Sequence, residues 1–186
     1  NCNCSGTADG VNYIGGITGY VHQGNITQCS FAGDLTGEPD WDFDSYEYIS
    51  DAQYIGGISG ELVSGTANKC YSTGSITGGQ QLGGLIGQTG GTVTDSYSRV
   101  SIFDETDYFT GNSYSESLGG LIGSNSGNIS NSYSTGNVEG RVYRTGGLIG
   151  YSTGTVTNSF WDINTSGRAT SAGGTGVTTA EMKTLT

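Results

Sequence analysis

A Gly-Gly pair followed by Ile or Leu occurs five times in this chain, starting at Gly15, Gly56, Gly83, Gly119 and Gly146. The spacings are 41, 27, 36 and 27 residues. A unit of 27 is therefore kept throughout, and two copies carry additional sequence. The copy from Gly119 reads Gly-Gly-Leu-Ile-Gly, a polar turn, Gly127-Asn-Ile-Ser-Asn-Ser-Tyr-Ser-Thr-Gly136, then Asn-Val-Glu-Gly140. The copies from Gly83 and Gly146 follow the same plan, with Thr92-Val-Thr-Asp-Ser-Tyr and Thr155-Val-Thr-Asn-Ser-Phe in the middle. Each unit holds three short apolar or β-branched runs punctuated by Gly. Runs of this length are too short for helices, and the intervening glycines are expected to supply the positive φ of tight corners.

No such run can bury a face alone, whereas stacking the copies in register gives one ladder and one shared interior. The expected fold is all-β: a parallel β-solenoid of three-strand coils, one repeat per coil, rising about 4.8 Å each. Right-handed winding is expected because right-handed crossovers dominate parallel β structure. The repeats fall near 13–54, 55–81, 82–117, 118–144 and 145–163, with insertions at 38–52 and 103–116 and a C-terminal cap at 164–186. In register, Leu85, Leu121 and Leu148 stack, as do Val93, Ile129 and Val156. Tyr71, Tyr97, Tyr133 and Phe160 form an aromatic column. Ser96, Ser132 and Ser159 share a column with Cys70 and Cys29, and Asn3-Cys4-Ser5 aligns to the same place.

Composition narrows the function. The chain has 35 Gly and one Pro, Pro39, with no Gly-X-Y period, which excludes collagen. Its net charge is −11, and its six cations are scattered. Nothing resembles the basic stripe that nucleic acid requires, and an anionic bilayer would repel this surface. No apolar run approaches the roughly 18 residues of a membrane span. His22 is the sole histidine and sits in a turn with no acid positioned beside it, so no catalytic residues are assigned and the chain is not expected to be an enzyme. A polysaccharide-cleaving carboxylate pair in the first insertion is the alternative from that class.

The insertions hold the candidate binding residues. In the first, Asp40, Asp42 and Asp44 alternate with Trp41 and Phe43, and Glu47 follows. Several carboxylates on one face are what Ca²⁺ takes as oxygen ligands. A solvated acidic hairpin is the other reading, and Ser45 stands where a calcium loop of the EF-hand kind has Gly. With the second insertion, the chain presents Trp41, Phe43, Tyr46, Tyr48, Tyr108, Phe109 and Tyr114 beside acids. Aromatic faces with polar neighbours suit sugar rings and partner proteins alike, or they cover solenoid core.

The Gly-Gly-Leu-Ile-Gly step, followed by Gly-x-(Ile/Val)-x-Asn-(Ser/Cys)-Tyr-(Ser/Ala)-Thr-Gly-x-Val-x-Gly, resembles the GLUG repeat of bacterial and archaeal surface proteins. The tail from Ser159 through Gly176 to Lys183 looks like the end of such an array. The resemblance implies an exported, cell-surface or secreted protein, of the kind found in haemagglutinin-like adhesins and in the non-catalytic parts of immunoglobulin A peptidases. It implies no activity of the repeat itself. Export implies oxidised cysteines, with a Cys29–Cys70 bridge between adjacent coils and Cys2 paired with Cys4 or with another molecule. Buried free thiols are the alternative.

The ends complete the reading. Thr178-Thr-Ala-Glu181 is a capping box opening a short helix, with Met182 and Leu185 on its apolar side. The first coil starts partway through, so either upstream sequence or a neighbouring copy completes it, the latter making a filament subunit. The expected role is an extracellular structural or adhesive module, with adjacent domains or copies as partners. A glycan- or protein-binding module is the runner-up.

Overall fold

The computed structural model describes residues 1–38, 40–42, 47–50, 52–104 and 116–185; the side chains of 40–42, 47–50 and 185 lie outside that description. Four parallel sheets run the length of a solenoid, and each full coil contributes one strand to each. Sheet 1 holds Ile14–Gly15, Tyr54–Gly56, Gln81–Gly83, Ser117–Gly119 and Arg144–Gly146. Sheet 2 follows the Gly-Gly step with Thr18–Val21, Ser59–Leu62, Ile86–Thr89, Ile122–Asn125 and Ile149–Ser152. Sheet 3 comprises Gly24–Thr27, Gly65–Asn68, Thr92–Thr94, Asn128–Ser130 and Thr155–Thr157. Sheet 4 is the broadest and runs from Cys2–Gly10 through Cys29–Gly37, Tyr71–Thr77, Tyr97–Phe103, Tyr133–Ser134 and Phe160–Asp162 to Thr175–Val177.

The coil thus has four strands rather than the three expected, because the Gly-Gly step is itself a corner. That corner needs glycine for space and not for φ. None of the five Gly-Gly pairs has positive φ. A Cβ on Gly83 or Gly119 would lie 1.8 or 1.9 Å from the carbonyl oxygen of Ile86 or Ile122. On Gly84 it would strike the Ser98 hydroxyl at 2.1 Å. The positive φ is instead carried by non-glycine residues at the corner between sheets 3 and 4. Gln28, Lys69, Asp95, Asn131 and Asn158 all sit at φ of 44° to 54°. Asn and Asp tolerate this conformation better than most side chains. Its recurrence at one point of every coil is a consequence of stacking: the amide of Gln28 donates to the Asn68 carbonyl at 2.9 Å and that of Lys69 to Thr94 at 3.2 Å.

The interior is a set of one-residue-wide columns. Ile14, Ile55, Leu82 and Leu118 succeed one another in sheet 1, and Ile58, Leu85, Leu121 and Leu148 stack just past the Gly-Gly step. Ile26, Ala67, Val93, Ile129 and Val156 line sheet 3, while Leu35, Ile76, Ile102 and Val138 line sheet 4. One inward column of sheet 4 is polar between two aromatic plugs: Phe31, Ser72, Ser98, Ser134 and Trp161. Two of its serines bond to the facing corner, Ser72 donating to the Gly84 carbonyl and Ser134 to that of Gly147, both at 2.6 Å.

The C-terminal end has two helices where one was expected. Helix α1 (Ile163–Ser166) starts because the Asp162 carboxylate caps the amides of Asn164 and Thr165, and it stops at Gly167 in the left-handed region. Helix α2 (Thr179–Leu185) opens on the expected capping box, in which Glu181 accepts from the Thr178 amide and hydroxyl at 2.8 Å. The Thr178 amide, then its hydroxyl, holds the Glu181 carboxyl below its usual range. This cap is therefore present above the ordinary carboxylate value of 4.5 and is lost on acidification. Met182 of α2 is buried. Among the described residues no helix is long and apolar enough to cross a membrane.

Candidate binding surface

The corner from sheet 4 to sheet 1 is where the chain departs from its repeat. Thr77 reaches Gln81 directly, through Gly78 and Gly79 at positive φ. From Gly37 to Tyr54 and from Phe103 to Ser117 the sequence between the same two sheets is longer. The first contains an antiparallel hairpin, Asp40–Asp42 against Glu47–Ser50, with Asp42 opposite Glu47 and Trp41 opposite Tyr48. Its base is stitched into the stack: Ala52 is buried, its carbonyl accepts from the Gln80 amide at 2.7 Å, and the Gln53 amide donates to Val11. The surplus over a bare coil is therefore 38–51, and Ala52 belongs to the core.

Several expected site residues fall outside what the structure describes. Phe43, Asp44, Tyr46, Tyr108, Phe109 and Tyr114 lie outside the described residues, as do the side chains of Asp40, Trp41, Asp42, Glu47 and Tyr48. Both the calcium ligand set and the insertion aromatic patch rest on them. Among the described residues no group of three or more His, Cys, Asp or Glu side chains could hold a metal ion.

Aromatic surface also lies on the solenoid wall, in the expected tyrosine column and in a second group around the first coils. On sheet 4 the rings of Tyr71, Tyr97 and Tyr133 stack at 5.0 Å with planes 5° and 6° apart. Arg99 sets its guanidinium 5.3 Å from the Tyr97 ring. Burial pushes the Tyr97 phenol up, and the neighbouring Tyr133 adds to it. Around the first coils, Tyr13 packs against Tyr20 and Tyr54 with centroids 5.2 Å apart in both pairs. His22 contacts the Tyr20 hydroxyl at 3.4 Å. Tyr13 and Tyr54 occupy equivalent positions, each just before the Ile of sheet 1. That equivalence is visible in the repeat alignment and is the signal that would have found them.

Against this geometry a family model, the GLUG motif, matches residues 10–36 and 114–139. The chain carries the GLUG motif. Each matched segment contains one passage through sheets 1, 2, 3 and 4, so a GLUG unit corresponds to one coil, and the remaining coils join the same ladders by register. No curated protein and no solved structure matches the chain.

The GLUG coil also explains the cysteines, which differ from expectation in two ways. Cys2, not Cys4, is in register with Cys29, and Cys4 stands opposite Phe31. Ser30 in register with Tyr71 places Cys29 beside Cys70. All four cysteines are free thiols, Cys2 and Cys4 exposed, Cys29 and Cys70 buried; the expected bridges are absent. The later coils show what the buried thiols do. Ser96, Ser132 and Ser159 each donate to the carbonyl two residues back at 2.7 to 2.8 Å. Each also accepts the amide of the preceding coil, as Ser96 does from Cys70 at 3.1 Å. Cys70 repeats this, with its thiol 3.4 Å from the Asn68 carbonyl. Burial pushes that thiol up more than the Cys29 amide pulls it down, which disfavours the reactive thiolate. Cys70→Ser is accordingly expected to leave stability within about 1 kcal/mol of the parent, measured by urea unfolding; a loss of several kcal/mol would show that the column needs sulfur here.

Proposed function

We propose that the chain serves outside the cell as a non-catalytic structural and adhesive module of a surface protein. The structure shows a repeat-built solenoid; the role rests on one observation, that both insertions leave at the same corner, from sheet 4 into sheet 1, two coils apart. At about 4.8 Å per coil the two roots lie roughly 10 Å from each other along the axis. A stiff ladder that roots two acidic and aromatic sequences at one corner is suited to holding contact residues away from an anchoring surface. Stacked coils keep the display rigid because each contacts only its neighbours through continuous backbone bonding.

The test removes the display and keeps the rod. Deleting 38–51 and 105–114 joins Gly37 to Ala52 and Asp104 to Ser115, restoring bare corners like the one from Thr77 to Gln81. Circular dichroism should be unchanged, while beads coated with the variant should lose attachment to the glycan- or cell-coated surfaces that hold the parent. Equal attachment by the variant would refute the display role, and unfolding would place the insertions in the core.

A further inference from the structure

A cleft of about 420 Å³ opens between the outer face of sheet 4 and the C-terminal helices. It is separate from the insertions. Its floor is Tyr133, Thr135 and Asp162, from successive coils of sheet 4, and its wall is Thr179 and Met182 of α2. Tyr133 stands in its column between Tyr97 and Phe160 and lines the cleft. Arg99 and Lys183 border the cleft; they are two of only six cations in a chain of net charge −11.

Asp162 is the informative group. Its residue is only 2% exposed, yet its carboxylate borders the cleft. Oδ1 accepts from the amides of Asn164 and Thr165 and from the Thr179 hydroxyl, at 2.9, 3.2 and 3.0 Å. Among the described residues Oδ2 has no hydrogen-bond donor. That oxygen is not shielded from solvent, so it is an acceptor open to a hydroxyl entering the cleft. The cleft therefore asks for a ligand that donates hydroxyls to Asp162 and the threonines, lays an apolar face on Tyr133 and Met182, and carries an anionic group for Arg99 and Lys183. Phosphate or sulfate alone would leave the apolar floor of Tyr133 and Met182 empty. A neutral sugar would leave both cations unused.

We propose that this cleft binds an oligosaccharide containing a uronic acid, with its carboxylate between Arg99 and Lys183 and its ring against Tyr133. The volume falls within the range of small-ligand pockets, and Arg–carboxylate pairing supplies the charge-assisted contact. Site and ligand are independent of the adhesive role of the insertions, so either reading can fail without the other.

The chain has a single methionine, Met182, so methyl-¹³C methionine labelling places one NMR signal inside the cleft. Titration of the full chain with trigalacturonate should shift that signal saturably, and calorimetry should give a matching affinity. Arg99→Ala and Lys183→Ala should each weaken binding about tenfold, with the folded circular dichroism spectrum retained. Galactotriose and inorganic phosphate, used as probes alone, should leave the signal in place. The proposal is overturned if trigalacturonate does not move the Met182 signal at millimolar concentration. It is equally overturned if the double variant binds as the parent does, or if galactotriose or phosphate binds as well as the acidic trisaccharide.

Discussion

Replacing Gly119 by Ala is expected to destabilise the protein by about 3 kcal/mol, although it adds a single methyl group and asks for no forbidden φ. The added Cβ would lie 1.9 Å from the Ile122 carbonyl oxygen and 2.7 Å from the Gly150 amide nitrogen of the next coil. Both neighbours are backbone, so no side chain can swing away. Relief requires the corner to open, and opening it separates sheet 1 from sheet 2 in a central coil whose ladders continue on both sides. In a stacked array that weakens two interfaces at once. Gly24→Ala is the control: its Cβ would meet only the Val21 side chain, at 3.7 Å, and its effect should stay within about 0.5 kcal/mol. Thermal unfolding of the two variants measures the difference, which for a chain of this size corresponds to a melting shift on the order of 10 °C. Similar melting temperatures for both would mean that the corner glycines serve some need other than close approach.

Trp161→Ala is expected to cost about 3–5 kcal/mol, and to cost it at one end. The indole is nearly buried and closes the inward column of sheet 4. It packs so tightly on Gly147 that a Cβ there would lie 2.0 Å from its ring. Its Nε1 donates to the Arg168 carbonyl at 2.9 Å, and the Arg168 side chain in turn donates to the carbonyls of Val138 and Gly140 at 2.7 and 2.8 Å. Truncation leaves a cavity, strands the Arg168 carbonyl and loosens the segment that leads to Thr175–Val177 and α2. Hydrogen exchange should therefore accelerate at Gly176 and Val177 first, while the amides of Leu85 and Ile86 keep their protection. Uniform loss of protection along the whole ladder would show that the solenoid unfolds as one unit and that the tryptophan is not a terminal plug.

The repeat length, the stacking and most of the interior follow from residue order alone. Leu85, Leu121 and Leu148 recur at one offset from a Gly-Gly pair, and a run of such offsets admits in-register stacking and little else. The column of Tyr71, Tyr97 and Tyr133 and the capping box at Thr178 were legible for the same reason: each depends on residues near one another in the chain or at equal repeat positions. The rest depends on how the coils pack against one another. The corner glycines read alike whether they serve φ or space, and it took the carbonyls of Ile86 and Ile122 to show that space is what they provide. Gln28 and Lys69 do not look like left-handed residues, yet a coil locked to its neighbours holds them in the conformation that Asn131 and Asn158 adopt more readily. Cys2 rather than Cys4 joins the cysteine column because the first strand of sheet 4 pairs over nine residues, a longer match than the local motif suggested. The cleft was invisible for a simpler reason: it assembles Arg99, Tyr133 and Asp162 from three coils with Met182 from a helix, and proximity between coils is created only by stacking.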